Sequence, residues 1–161
     1  MLLKSTPRIV LFLVSYVMLI GNLSGQNMQA DSLLKLIDHQ NHDSINGNIY
    51  HELAKTYYLS DTKNALIWAR EGTKYFKKIS SLPKMTKCMN LEAVCLLILD
   101  QPDESIKLHY TILKIREGLN DPELIAESLI NIGNIFYRGQ DKEQAIQFYL
   151  KAQKLALKKN N

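Results

Sequence analysis

The side chains of this sequence that could do chemistry are few and widely separated. His39 and His42, flanked by Asp38 and Asp43, are the combination that comes nearest to a metal site. A bound metal ion needs three or four converging ligands, and this pair spans a predicted helix end with no further ligand placed nearby. We therefore predict solvated loop histidines and no metal.

The two cysteines do not form a site either. Cys88 and Cys95 are seven residues apart on one predicted helix, which separates their Cα atoms by about 10.5 Å. A disulfide cannot bridge that distance without unwinding the helix. No other ligand stands at metal-binding spacing, so we expect both thiols to be small apolar residues of the core.

Catalytic patterns are missing from the sequence. It has no Gly-rich phosphate loop and no His-Glu-x2-His motif. His109 falls at a predicted helix-packing position, where a core histidine is the simpler interpretation. The adjacent carboxylates Asp103 and Glu104 stand at a predicted helix start, where the helix dipole favours acidic residues. We predict that the protein is not an enzyme and binds no cofactor.

Composition indicates a helical globular protein. The chain has 161 residues, 46% of them hydrophobic, with only 7 Gly and 4 Pro. Its formal net charge of +4 includes Lys4 and Arg8, which lie in a segment that we expect to be removed. The remaining basic residues alternate with acidic ones, so the sequence does not predict a nucleic-acid partner.

The first 25 residues have the layout of a secretory signal peptide. Lys4 and Arg8 precede the uncharged apolar run 9–20, and small and polar residues follow. The run is shorter than the ~20 residues that span a bilayer. We predict cleavage between Gly25 and Gln26 and export to the periplasm, with an uncleaved N-terminal anchor in the inner membrane as the alternative.

The elements that must position any site are predicted helices in a repeating pattern. The stretch 126–157 contains large apolar residues, a small residue, an aromatic pair, a break, and then Ala-x3-Tyr-x2-Ala. The same spacing recurs in steps of forty, as at Ala65, Ser105 and Ala145. Three antiparallel helix pairs with one period explain the recurrence, because one pair alone cannot bury its apolar face.

Helix starts are marked by Ser81, by Asp121 followed by Pro, and by Asp141 with Gln144 as a capping box. The middle repeat fits the pattern least well. Either Glu92 or Ala93 occupies its small-residue position, and the sequence leaves both alignments open.

The pattern resembles the tetratricopeptide repeat, with a step of forty in place of the basic 34. The resemblance implies an all-α fold: a right-handed superhelical solenoid of about three antiparallel helix pairs, preceded by a short N-terminal helix. We assign residues 1–25 to the signal peptide, 26–42 to the short helix and its turn, and 43–161 to the repeat domain. The repeats cover about 43–80, 81–120 and 121–161.

In this family the first helix of each repeat lines a concave groove that binds a peptide or a helix of another protein. The implied groove residues are Asn48, His51, Lys55, Tyr58, Glu127, Ile130, Asn134, Tyr137 and Arg138. In repeat two they lie between Met89 and Leu97. One family mode binds a partner's C-terminal carboxylate, but Glu127 and Asn131 stand where it needs basic residues, so we reject that mode.

The resemblance thus implies a non-catalytic scaffold with a protein or peptide partner, and the predicted signal peptide indicates that it is exported. The signal peptide and Tyr-Tyr-Leu-Ser-Asp-x3-Ala-Leu of repeat one also resemble the periplasmic N-terminal part of Bacteroidetes-type sensor histidine kinases. The alternative is therefore a sensory fragment of a two-component signalling protein. A membrane would then be contacted only through the targeting segment or a C-terminal part outside this chain. The last helix carries too many apolar residues for one buried face, which predicts self-association through it or continuation beyond it.

Overall fold

A computed structural model describes residues 30–37 and 44–159 of the chain. The predicted targeting segment and the histidines at 39 and 42 lie outside these residues. In the described ranges, no helix is long and apolar enough to cross a membrane. No group of three or more His, Cys, Asp or Glu side chains there could hold a metal ion.

The described residues form seven α-helices and no strand. Their bounds are α1 (30–35), α2 (Ser44–Tyr57), α3 (Thr62–Lys78), α4 (Leu82–Ile98), α5 (Pro102–Gly118), α6 (Pro122–Arg138) and α7 (Lys142–Lys159). Each of the helices from α2 to α7 packs against the next one in sequence. Short links join them, so consecutive helices run antiparallel, and α2–α3, α4–α5 and α6–α7 form three stacked pairs. The predicted all-α stack with a short N-terminal helix is confirmed.

The links between helices are uniform in their spacing and in their backbone geometry. Helices α3 to α7 begin at residues 62, 82, 102, 122 and 142, a constant step of 20. Two residues before each of the last four helices the backbone is left-handed, with φ of 58° at Ser80, 61° at Asp100, 53° at Asn120 and 66° at Gln140. At three of these links the next backbone N–H donates to the carbonyl five residues earlier, as from Ser81 to Phe76 at 2.9 Å. These are Schellman motifs, and they turn the chain alike within and between repeats.

Helix starts agree with the sequence at the aspartates. The carboxylates of Asp61, Asp121 and Asp141 each accept a backbone N–H of the first helical turn. In the predicted capping box, the Gln144 side chain should accept a hydrogen bond from the Asp141 backbone N–H. Instead, it donates a hydrogen bond to the Asp141 carboxylate at 2.9 Å. Ser81 stands at the N-cap position before α4, as predicted, but its side chain makes no cap bond. Its helix relies instead on Pro at the first turn.

The N-terminal end of the stack is closed by α1. Ala30, Ile49 and Leu53 form a buried cluster, and Trp68 packs against it. The Trp68 ring also stacks on Tyr50, with 5.8 Å between ring centroids. Trp68 therefore supplies the bulk that neighbouring Ala69 lacks at the position held by an aromatic residue in repeat three.

The structure settles the alignment of repeat two. Ala93 is fully buried, and its carbonyl accepts a hydrogen bond from Ser105 at 2.7 Å. It therefore occupies the small-residue position, forty residues before Gly133. Glu92 then falls at the apolar position, where its carboxylate accepts a hydrogen bond from Arg70 of α3 at 2.9 Å. The charge is tolerated there because the preceding repeat supplies its partner.

The two junctions between repeats are packed differently. Phe76, 1% exposed, belongs to an apolar cluster with Met85, Cys88 and Met89 at the first junction. Forty residues later, at the second junction, the same position holds Arg116, which is fully buried. After another forty residues it holds Ala156, which is exposed. The apolar side chain of the first junction is thus replaced by a polar one at the second junction and by a small one at the end of repeat three.

Arg116 is held by polar groups of both neighbouring helices. Its Nη1 donates to the Leu124 carbonyl at 3.0 Å and to the Ser128 hydroxyl at 2.9 Å, and its Nε donates to Thr86 at 3.3 Å. Burial lowers the pKa of Arg116, and the nearby carboxylates of Glu127 and Asp121 oppose that shift. In the described residues its Nη2 has no hydrogen-bond partner.

His109 is the buried histidine that the sequence predicted, with 1% of its surface exposed. Burial, reinforced by the positive charge of Arg116, lowers the pKa of His109 to about 4. Its Nδ1 also lacks a hydrogen-bond partner among the described residues. Helix α5 therefore carries two buried polar side chains, an imidazole and a guanidinium, and both have unsatisfied polar atoms.

Candidate binding groove

The first helices of the three pairs lie side by side. Helix α2 contacts α4, and Asn131 of α6 donates to the side-chain oxygen of Asn90 of α4 at 2.7 Å. We call the face that α2, α4 and α6 present together the groove. Its positions recur after 39 residues from α2 to α4 and after 40 from α4 to α6. They are Asn48, Lys87 and Glu127; His51, Asn90 and Ile130; Lys55, Val94 and Asn134; Tyr58, Leu97 and Tyr137.

At the α2 end, the groove contains a small charged network. The Glu52 carboxylate accepts two hydrogen bonds from Lys55 Nζ, at 2.9 and 3.1 Å, and lies 3.2 Å from His51 Nδ1. Burial raises the pKa of Glu52, but the bonds to Lys55 and His51 outweigh it and leave the pKa lowered. Burial lowers the pKa of His51, helped by the charges of Lys55 and Lys87, although Glu52 opposes the shift. The two nearby ammonium groups and the burial of the ring therefore both disfavour protonation of His51.

Two of the predicted groove residues on α6 already have partners inside the protein. Glu127 Oε2 lies 3.5 Å from Nη1 of the buried Arg116. Asn134 accepts a hydrogen bond from the Tyr149 hydroxyl at 2.8 Å. A ligand that binds either side chain must share it with these contacts. The facing guanidinium also weakens the repulsion that Glu127 would exert on an anionic ligand.

One edge of the groove is apolar in all three repeats. Tyr58 and Leu97 are half-buried, and Tyr137 is 60% exposed at the matching position of α6. Next to this row lie Leu59, 73% exposed, and Ile98, 39% exposed. The first helices thus present an apolar row at their C-terminal ends, beside a polar surface.

The remaining predicted residues are accessible. Asn48, Lys55 and Arg138 are exposed, and Ile130 is 43% exposed. Arg138 lies at the end of α6 that faces repeat two, where it lines a cleft together with Leu97 and Ile135. It therefore belongs to the rim of the groove and not to its floor. Whether these side chains bind a partner stays a prediction.

Sequence reasoning missed Lys87, which is exposed and takes part in no ion pair in the described part of the chain. The range expected for repeat two began two residues later, at Met89. The signal was available, because Lys87 precedes Glu127 by one period of forty. The unresolved alignment around Glu92 hid it.

Residues 88–158 match the family model of the tetratricopeptide repeat. A comparison with curated protein sequences gives no significant match.

Three solved structures share the fold at 19% sequence identity. Aspartyl phosphate phosphatase F from Bacillus subtilis aligns with a TM-score of 0.73, over 86% of this chain and 36% of that one. The apo form of RapI aligns with a TM-score of 0.69, over 89% of this chain and 52% of the other. BtubC from P. vanneervenii aligns with a TM-score of 0.67, over 74% and 50%.

This chain therefore spans between about a third and a half of the length of these structures. At such low identity the likeness establishes the fold and not the activity of any of them. The fold class that the repeat pattern predicted is confirmed: the chain is a right-handed superhelical solenoid of the tetratricopeptide repeat type, and residues 88–158 carry that family's sequence pattern.

Proposed function

We propose that this protein is a non-catalytic, exported interaction module that binds an extended segment of a partner protein in the groove. The observation that carries the proposal is the apolar row of Tyr58, Leu97 and Tyr137, which lies at one level of three adjacent helices. Asn90 and Lys87 lie on the same helix as Leu97, about 10 and 15 Å along it at 1.5 Å per residue, where they can bind the backbone and acidic groups of a peptide.

The spacing of the row favours an extended ligand. Adjacent packed helices are about 8–10 Å apart, and an extended chain in the polyproline II conformation advances about 3.1 Å per residue with three residues per turn. A segment that crosses the three helices would therefore place every third side chain on the row. We propose a partner segment with apolar residues three positions apart and acidic residues toward Lys87.

A peptide library displayed on phage tests this proposal. Sequences selected by the intact chain should show the three-residue apolar period, and their binding should weaken with Lys87→Glu and with Tyr137→Ala. Matched controls are Lys114→Glu on α5 and Ile67→Ala on α3, both exposed positions outside the groove. Equal losses in the groove and control variants would refute groove binding.

The proposal also includes where the protein acts and whether it takes part in signalling. The predicted signal peptide supports a periplasmic module, and a fusion of residues 1–25 to a reporter enzyme tests whether they direct export. The resemblance of repeat one to sensor kinases supports the alternative, a sensory part of a two-component protein. A kinase or membrane helix encoded in frame directly downstream would favour that alternative over a separate scaffold.

We also propose that the exposed end of repeat three associates with a second copy. Ile146, Leu150 and Leu157 of α7 are 55%, 56% and 61% exposed. The equivalents of Leu150 in the first two repeats, Arg70 and Tyr110, contact the next repeat through Glu92 and Phe148, so this face continues a contact made twice within the chain. Sedimentation should show a dimer that Leu150→Glu disrupts. A wild-type monomer at high concentration would contradict it.

A further inference from the structure

A second site is suggested by a cleft on the opposite side of the protein from the groove. Helices α5 and α7 form its walls and α6 its floor, with a volume of about 570 Å³, within the range of small-molecule sites. Its lining is mainly apolar, and the side chains are Tyr110, Leu113, Ile125, Leu129, Phe148 and Leu155, with Glu117, Lys151 and Lys154 at its edges.

The cleft follows from the change at the second junction. At the first junction Phe76 fills the space between repeats together with Met85 and Met89. At the second junction, the matching residues on α6 are the shorter Ile125 and Leu129. The counterpart of Phe76 is Arg116, whose guanidinium bonds to Thr86 and Ser128 and so contributes no apolar bulk to this cleft. The space that an aromatic ring occupies in one junction is open in the other.

The charges at the cleft are unequal. Lys151 and Lys154 both line it, and in the described part of the chain neither ammonium forms an ion pair. The ammonium of Lys151 lies 5.1 Å from the centroid of the Phe148 ring. The opposite wall contributes a single carboxylate, from Glu117. The cleft is therefore complementary to a ligand with an apolar body and one anionic end.

We infer that this cleft binds a monomeric amphiphile with an alkyl or aryl body and a terminal carboxylate. The apolar body would lie on Leu113, Leu129 and Phe148, and the carboxylate would meet Lys151 and Lys154. A peptide fits less well. A helix about 10 Å across would fill this volume with only about five residues. An extended strand would bury amide groups for which the apolar walls offer no partner.

Dodecanoate is a suitable probe, titrated into the whole chain below its micelle concentration and followed by calorimetry and by the methyl signals of the cleft leucines. We expect saturable one-to-one binding with shifts at Leu113, Leu129 and Leu155. Lys151→Glu with Lys154→Glu should weaken it by roughly tenfold or more, because two attractions become repulsions. Leu129→Trp, which fills the cleft, should also weaken it.

The repeat supplies a matched control. Lys114 occupies the position of Lys154 one repeat earlier, is exposed and does not line the cleft, so Lys114→Glu should leave binding unchanged. Dodecanol, which lacks the charge, should bind at least about tenfold more weakly.

Three results would overturn the inference: no saturable binding by a folded wild-type chain, equal affinity for dodecanol, or equal losses in the cleft and control variants. Co-sedimentation with phosphatidylglycerol vesicles without binding of monomeric dodecanoate would do so too, since it would indicate a membrane surface instead.

Discussion

Replacing Gln140 by glycine should stabilise the protein. Its φ of 66° is a left-handed conformation that costs an L-residue about 1–2 kcal/mol. Glycine removes that cost, while its greater freedom in the unfolded chain offsets about 0.5–1 kcal/mol. The net gain is therefore about 0.7 kcal/mol. Ser80→Gly should act alike, and the two together should contribute about 1.4 kcal/mol because the sites are far apart, whereas Asp100→Gly should gain less since a short polar side chain tolerates this conformation.

Gly139 stands at a helix end, where a glycine usually adopts the left-handed conformation and its replacement by alanine destabilises the protein. We expect the opposite effect at Gly139. Gly139 has φ of −74°, which any residue adopts. A Cβ there would lie 3.5 Å from the carbonyl oxygens of Ile135 and Phe136, an ordinary van der Waals distance. Gly139→Ala should therefore stabilise the protein by about 0.4–1 kcal/mol, through the unfolded state.

Urea unfolding followed by circular dichroism measures both effects, and wild type and variants should share the same slope. The test is the sign of the change in unfolding free energy at each of these two neighbouring positions. If Gly139→Ala destabilised the protein by more than about 1 kcal/mol and Gln140→Gly did not stabilise it, glycine would be the left-handed residue. The uniform Schellman links described here would then be wrong.

Three other perturbations have defined outcomes. The unfolded chain takes up a proton at His109 near pH 6.5, whereas the folded chain resists protonation down to about pH 4. The free energy of unfolding should therefore fall by up to about 3 kcal/mol as the pH drops across that window. In urea unfolding measured over a pH series, His109→Leu should flatten this part of the curve. Gly133→Ala should destabilise the protein by about 1–3 kcal/mol, because the new Cβ would come within 2.6 Å of the Tyr149 ring. Gly118→Ala is the control and should not destabilise it, because a Cβ there meets open space. Equal melting temperatures of the two variants would contradict this packing. Arg116→Ala should lower the free energy of unfolding by about 3 kcal/mol, through the cavity and the unpaired polar groups it leaves. Arg116→Met should cost clearly less, because methionine restores the volume. Equal losses in urea unfolding would show that the hydrogen bonds of the guanidinium dominate.

The repeat architecture was predictable because it depends on residue size at fixed spacing. Small residues such as Ala65, Ser105 and Ala145 are needed wherever paired helices approach closely, and their step of forty is visible without coordinates. The aspartate caps were predictable for a similar reason, since their bonds join residues two or three positions apart.

Contacts between repeats were not predictable from local patterns. Nothing near Glu92 in sequence indicates that its partner is Arg70, 22 residues earlier. Likewise, the buried Arg116 would be expected on a helix surface, because an arginine is normally exposed. Its burial depends on oxygen atoms that α4 and α6 bring to it from both sides. The left-handed residue at Gln140 was also missed, because the adjacent glycine is the usual choice for that conformation.

The central claim is that partner binding takes place on the face formed by α2, α4 and α6. Amide hydrogen exchange of the chain, with and without a peptide selected from the library, tests it most directly. We predict that the peptide slows exchange in those three helices, most of all toward their C-terminal ends around Tyr58, Leu97 and Tyr137, and leaves α3 and α5 unchanged. Protection confined to α5 and α7, or to the exposed end of repeat three, would contradict the claim.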